Sequence, residues 1–394
     1  MTTSASFIEV DSCQRAKHGQ AVSGDVFLSQ KISEEDRVVT VLSDGLGSGV
    51  KANVLATLTA TMALKYTSSF YDIRQSAKTI IDTLPVCSER KISYSTFTIV
   101  DIDTRGHTRV IEHGNPSLLV LRPSGEVDLQ KSVLTLETGP DRLITYSQFQ
   151  AQLGDRIIFF SDGVTQAGMG EWRTPLGWGW ENVRSFVAET IGSYTYLSAH
   201  DLARAIVKRA EELDGRSAMD DISCGVIYFR TPREMLLVTG PPFSRDSDEE
   251  MAKIVDTFPG HKAICGGTTA LIVERLTGRK VTMDLDQPLD PGIPPTSYME
   301  GIDLVTEGTL TLGEVARLLE DGAVAEVGRV NGPRQLVQML LNSDIVHFLV
   351  GTRINEAHQD PNIPVELELR RNIVRRIVQQ LEHRYLKQTT VRFI

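Results

Sequence analysis

Leu42-Ser43-Asp44-Gly45-Leu46-Gly47-Ser48-Gly49-Val50-Lys51-Ala52 is the place where one periodicity hands over to another. The residues leading into it, Val38-Val39-Thr40-Val41-Leu42, are rich in β-branched side chains and read as a sheet strand. Those leading out, Val50 to Tyr66, carry Ala, Leu and Met at helical spacing with neither glycine nor proline. Asp44 therefore stands at the end of an apolar strand, just before a glycine-rich turn into a helix. Gly45 has no Cβ, so the chain can turn sharply there and its carbonyl can approach a bound ion.

The same context recurs three times. Asp25 follows Ser23-Gly24, Asp162 stands in Ser161-Asp162-Gly163 after the apolar strand Arg156–Phe160, and Asp220-Asp221 precedes the strand Ser223–Tyr228. A single Asp-Gly marks a turn. Asp44-Gly45 and Asp162-Gly163, however, each follow an apolar strand and a serine, which a surface hairpin does not require. Carboxylates at strand ends can meet on one sheet edge although far apart in sequence. Hard divalent cations take oxygen ligands, and two ions about 3.5–4 Å apart can hold a hydroxide against a phosphoryl group.

The chain has 394 residues, 41% hydrophobic and 23% charged, which is the balance of a folded globular protein and enough for two or three domains. Its net charge of −10 offers no positive field for nucleic acid or anionic lipid. Cys13, Cys87, Cys224 and Cys265 lie far apart in sequence and read as free thiols. The first residues lack a basic region backed by an apolar run, and there is no apolar stretch of about 18 residues; the expectation is a cytoplasmic protein with no membrane association. Further strands are expected at Ser95–Val100 and Ser117–Leu121, with helices at Ile73–Leu84 and Leu197–Leu213. A boundary is expected at Thr231-Pro232, giving domains 1–230 and 231–394. The second begins with the apolar run Met235–Val238, continues with helices near 247–257, 312–320 and 333–342, and ends in a long amphipathic helix, 364–387, whose apolar stripe suits a core or a homodimer contact.

Taken together, Gly24-Asp25, the run 42–52, Phe159-Phe160-Ser161-Asp162-Gly163-Val164-Thr165 and Asp220-Asp221-Ile222-Ser223 resemble, in order and spacing, the successive motifs of the SpoIIE-like branch of PP2C-type protein serine/threonine phosphatases. The resemblance covers about residues 7–230. It implies an α+β fold: a four-layer αββα sandwich, here followed by a second α/β domain. It also implies two Mn²⁺ or Mg²⁺ ions, with Asp44 bridging them, Gly45 offering its carbonyl and Asp25 completing one shell. Asp162 and Asp220 would hold the other ion, with Asp221 beside them at a place where the family often has Asn. Asp44 and Asp162 would be the catalytic pair. The implied reaction is direct attack of metal-activated water on phosphoserine or phosphothreonine, with an anti-sigma-factor antagonist of bacterial partner switching as the class of phosphorylated substrate.

Other residues carry less. His113, in Glu112-His113-Gly114-Asn115, reads as a structural turn residue, Arg15, Lys17 and His18 as solvated charges, and Cys224 as a small buried hydrophobe. Cys265-Gly266-Gly267-Thr268-Thr269 reads as a strand-to-helix turn without the lysine of a phosphate loop, and 284–290 lacks the glycine and final glutamate of a calcium loop. Phe348–Asn355 ends an apolar strand where α/β folds often bind ligands, so the second domain is expected to be regulatory or ligand-sensing. Three function classes follow: an active phosphatase, a catalytically silent module that would lack a carboxylate, and an enzyme centred on the second half. Every expected aspartate is present, and no catalytic constellation is visible in 231–394.

Overall fold

The computed structural model describes residues 6–69, 75, 79–80, 83, 95–135, 143–194, 197–283, 295–321, 331–353, 364–385 and 387–394. Most of the expected helix 73–84, Cys87, the 284–290 segment and Asn355 lie outside them. The chain divides into two units, Met1–Thr231 and Pro232–Ile394.

In the first unit the strands are β1 (Phe7–Arg15), β2 (Asp25–Ile32), β3 (Arg37–Gly45), β4 (Ser95–Asp103), β5 (His107–His113), β6 (Leu119–Arg122), β7 (Gly125–Glu126), β8 (Lys131–Thr135), β9 (Leu143–Gln150), β10 (Arg156–Phe160) and β11 (Ile222–Arg230). Its helices are α1 (Gly49–Ser69), α2 (Asp162–Thr165), α3 (Trp180–Ser193) and α4 (Ala199–Leu213). The strands form two antiparallel sheets, β2-β3-β4-β5-β9-β8 and β1-β11-β10-β6-β7.

Alternation along the strands decides which side chain faces which layer. In β3, Val39 and Val41 join Ala60 and Ala63 of α1, whereas Val38 and Leu42 turn the other way. There they meet Ile157, Phe159, Ile227 and Phe229 of the second sheet. The outer face of that sheet, Ile158, Phe160, Cys224 and Val226, packs on α3 and α4. The described residues thus build four layers in the order helix, sheet, sheet, helix, with a dry inter-sheet core. Gly225 belongs to that core, because a Cβ there would stand 2.7 Å from the rings of both Phe27 and Phe159.

One expectation changes here. His113 ends strand β5 instead of occupying a turn; it is buried, its Nδ1 lies 3.1 Å from the Leu143 carbonyl and its ring packs on Phe97. Cys13 and Cys224, far apart in sequence, are cross-strand partners in β1 and β11, and both are free thiols.

In the second unit the strands are β12 (Glu234–Thr239), β13 (His261–Cys265), β14 (Thr282–Met283), β15 (Ser297–Met299), β16 (Ile302–Thr306), β17 (Ile345–Val350) and β18 (Gln388–Phe393). The helices are α5 (Arg245–Thr257), α6 (Gly267–Thr277), α7 (Thr309–Asp321), α8 (Gly332–Asn342) and α9 (Pro364–His383). The sheet order is β14-β15-β16-β13-β12-β17-β18, with β16, β13, β12, β17 and β18 parallel. Leu236 and Val238 face α5 and α6, while Met235 and Leu237 face α7, α8 and α9, so β12 is buried on both sides, as the central strand of a doubly wound sheet must be. The stripe Ile373, Ile377 and Leu381 on α9 is buried in this unit's own core. Among the described residues, no helix is long and apolar enough to cross a membrane.

Truncating Phe159, which is fully buried between the sheets, to alanine should cost roughly 3–5 kcal/mol. Urea unfolding of the two proteins measures it, and a loss under about 1 kcal/mol would mean that the inter-sheet core is not what holds the first unit.

Candidate metal centre

The backbone pairing of β2 with β3 sets Asp25 directly opposite Asp44. Asp44 is held by its own carbonyl, which accepts from the Ser95 hydroxyl at 2.7 Å, while Ser43 Oγ and Ser95 Oγ lie 2.8 Å apart. Asp162 begins α2 immediately after β10, and Gln166 Nε2 donates to its Oδ2 at 2.8 Å. The Asp220-Asp221 pair enters β11, the neighbour of β10. Strand ends from both sheets thereby bring carboxylates from four sequence motifs into one neighbourhood.

Glycines make that approach possible. A Cβ on Gly45 would collide with the carbonyl oxygen of Ala52 in the first turns of α1, and one on Gly163 would collide with that of Asp221. A Cβ on Gly24 would stand 2.8 Å from Asp221 Oδ2 and 2.9 Å from the Ala52 methyl. At all three places glycine is a packing requirement: strand, turn and helix could not close on one another with any side chain present.

The electrostatics set these carboxyls apart from the other buried acids. Asp101 is met by Arg37 at 3.1 Å and also by Arg109, Asp155 by Arg122 at 2.9 Å, and Glu112 by Lys131 at 2.6 Å. Asp25 is 2% exposed, and neither of its carboxylate oxygens has a hydrogen-bond partner. Burial pushes its pKa up to about 7; the nearby Ser223 and Ser161 hydroxyls oppose this in part, and the charges of Asp221 and Asp162 add to it. Burial raises Asp44 further, to about 9, helped by Asp25, Asp162 and Asp220. Asp162 is raised by burial and then by Asp220. Lys17 Nζ lies 3.8 Å from Asp220 Oδ1, a half-exposed pair at the edge of the cluster. Asp221 is buried, and its Oδ1 accepts from the Lys17 backbone N–H at 3.0 Å.

Among the described residues, no three acidic, histidine or cysteine side chains are drawn into an ion-coordinating cage. The donor set nevertheless fits a hard divalent cation. It is all oxygen, Asp25 is buried while Asp44, Asp162 and Asp220 are half-buried, and among the described residues no basic side chain is paired with Asp25, a state that costs several kcal/mol unless a cation or a proton relieves it. Asp25, Asp44, Asp162 and Asp220 share this mutual repulsion. Asp221 has one oxygen already committed, and Gly45 contributes through close packing.

Cys224 is fully buried and its thiol is pushed far up by desolvation, so it offers no thiolate. Asn115, named in the sequence only as a member of the turn that follows His113, has a positioning role that the sequence did not assign. It takes a hydrogen bond from Thr96 and donates to Thr98 Oγ1 at 3.1 Å and to the Leu42 carbonyl at 3.4 Å, tying the loop after β5 to the strand that ends in Asp44. It follows Gly114, whose φ of 76° lies in the left-handed region.

A family model described as stage II sporulation protein E (SpoIIE) matches residues 34–230. Among solved structures, the chain is similar to the phosphatase domain of the cell fate determinant SpoIIE from Bacillus subtilis, at 20% identity over 58% of this chain and 94% of that one, TM-score 0.44. A second structure from that organism, the PP2C phosphatase domain with a fragment of the regulatory domain, is also 20% identical over 57% of this chain and 63% of that one, TM-score 0.49. RsbX in complex with magnesium is 17% identical over 56% of this chain and 95% of that one, TM-score 0.42. No curated protein matches the chain.

An aspartate whose pKa is higher folded than unfolded binds its proton preferentially in the folded state. Stability is then lost as pH rises from about 4, through about 7 for Asp25 and about 9 for Asp44. With chelator present, the melting temperature should fall across that window. Asp44→Asn should flatten the fall and melt higher than the parent at pH 8, by roughly 2–5 °C. Identical pH profiles for the two proteins would show that Asp44 is not part of a repelling cluster.

Proposed function

The chain belongs to the SpoIIE family through residues 34–230, and on that premise we propose that it is a metal-dependent protein serine/threonine phosphatase. The observation that carries this reading is Asp25: a buried, unpartnered carboxylate placed across the strand pair from Asp44. Asp101, Asp155 and Glu112 are instead paired to arginine or lysine, and that contrast supports reading the Asp25 cluster as a cation site.

We assign Asp25, Asp44, Asp162 and Asp220 as the carboxylates that would hold two Mn²⁺ or Mg²⁺ ions, with the Gly45 carbonyl and Asp221 at the margin. Bound divalent ions supply a water acidic enough to act as nucleophile at neutral pH, together with neutralisation of phosphoryl charge. The chain's own contribution is placement. Ser95 fixes the Asp44 backbone, Gln166 orients the Asp162 carboxylate, and the Lys17 ammonium stands beside Asp220, where it can meet a phosphoryl oxygen. Cys224 and His113, the one protonated and the other packed on Phe97 beside the Leu143 carbonyl, are not available as nucleophiles, which favours direct hydrolysis over a phosphoenzyme at either of them. The substrate class implied by the family resemblance is a phosphoserine or phosphothreonine protein, such as an anti-sigma-factor antagonist.

For residues 232–394 we propose a ligand-sensing role. Its support is the crevice position of a doubly wound sheet: β12 and β17 end side by side, and a Cβ on Gly351 would collide with the Gly240 and Pro241 carbonyls.

With Mn²⁺ the protein should hydrolyse para-nitrophenyl phosphate, chelator should abolish the activity, and Asp44→Ala or Asp162→Asn should lower kcat/KM about a hundredfold or more. Equal activity in parent and Asp44→Ala would remove the assignment. For the second unit, ATP or inorganic phosphate should shift the unfolding of the Asp44→Asn full chain in chelator; no shift with either would count against the sensing role.

A further inference from the structure

All three tryptophans of the chain fall between residues 172 and 180, immediately after the Asp162 motif. They are graded in exposure. Trp178 is buried against Phe186 with ring centroids 5.4 Å apart, Trp180 is half-buried, and Trp172 is 81% exposed. A core-forming cluster would bury all three.

The segment is rooted on Thr165, the last residue of α2, whose hydroxyl donates to the Asp162 carbonyl at 3.0 Å. It leaves at Gln166 and returns at Gly177 and Gly179; a Cβ on Gly177 would stand 2.6 Å from the Thr165 carbonyl, and the Gly179 N–H donates to that same carbonyl at 2.8 Å. Between departure and return it projects a short turn, bridged between Glu171 and Thr174, with Met169, Trp172 and Leu176 bare to solvent; Leu176 is 87% exposed. At its base lies an open cavity of about 470 Å³ lined by Pro116, Ser117, Thr165 and Trp180. One of its lining residues, Thr165, thus lies three positions after Asp162 in the same short helix.

The chemistry of the lining is apolar. The Trp180 indole N–H is spent on the Ser117 carbonyl at 2.7 Å, and Lys131, which reaches Ser117 Oγ, is paired with Glu112. The space is lined by an indole ring, a proline ring and two small hydroxyl-bearing side chains, which suits an apolar side chain; the cation nearest in sequence, Arg173, stacks on Trp172 in the outer turn. Because Thr165 joins the cavity to the short helix that begins at Asp162, a substrate whose phosphate is at the carboxyl cluster can place a neighbouring side chain there.

We propose that Trp180 and its cavity form a specificity subsite for a large apolar side chain flanking the phosphorylated residue of a protein substrate, with the Trp172–Leu176 turn as its outer rim. This rests on the phosphatase reading of the neighbouring carboxyls, but it concerns recognition and not the chemical step.

The test is equilibrium binding to the full-length Asp44→Asn protein with Mn²⁺. The probes are phosphoserine peptides on an alanine background carrying one leucine at successive positions either side of the phosphoserine. One offset should bind about tenfold tighter than the all-alanine peptide. Trp180→Ala should erase that preference, and Trp172→Ser, on a solvent-facing turn where folding is not at stake, should reduce it. Equal affinity across the peptides, or a preference that survives Trp180→Ala in a protein with the parent's melting temperature, overturns the subsite. Peptide hydrolysis by Asp44→Asn at the parent's rate would instead overturn the metal-centre reading and leave the binding preference to be judged by itself.

Discussion

Uncompensated negative charge at the end of a dry inter-sheet core is the constraint on which the rest of the first unit depends. Asp25 and Asp44 face each other across a strand pair, and burial together with the charges of their acidic neighbours favours the protonated form of both. Natural folds remove such arrangements unless a cation returns the energy. The same unit shows the ordinary solution at Asp101 and Asp155, where arginines neutralise buried acids. One chemical group is thus treated in two ways within one fold.

The repulsion is tolerated because the surrounding backbone leaves it no way to relax. Gly24, Gly45 and Gly163 let β2, β3, α1, α2 and the Asp221 backbone approach within contact, and Ser43, Ser95 and Asn115 tie the strand that carries Asp44 to its neighbours. Phe159, Phe27 and the space kept open by Gly225 then lock the two sheets together behind the acidic edge. Packing enforces the geometry and electrostatics gives it a purpose. The two-sided burial of β12 makes the second unit a self-sufficient core by the same physical logic, without any comparable collection of charge in its described residues.

Beside the charged edge, the tryptophan-bearing turn is the opposite kind of surface. It exposes apolar area that the core does not need, next to the one place where a bound substrate would have neighbouring residues to bury.

The sequence by itself determined a good deal. The β-branched run before Asp44, the alanine-rich helix after it and the boundary at Thr231-Pro232 were all legible, because side-chain periodicity and proline geometry are local properties. So were the four acidic motifs, since each sits at a strand end marked by glycine or serine. What local pattern could not carry was any property that depends on distance between strands. Only the tertiary structure decided that Asp25 lacks a partner while Asp101 and Asp155 have one, and that His113 is spent on Leu143 and Phe97. It also decided that Gly45 and Gly163 are glycine because a helix carbonyl and a strand carbonyl occupy the space of a Cβ. Cys13 and Cys224 make the point most simply: 211 residues apart in the chain, they are neighbours because β1 pairs with β11 in antiparallel register, and register is fixed by the burial of whole sheet faces, not by the residues next to either cysteine.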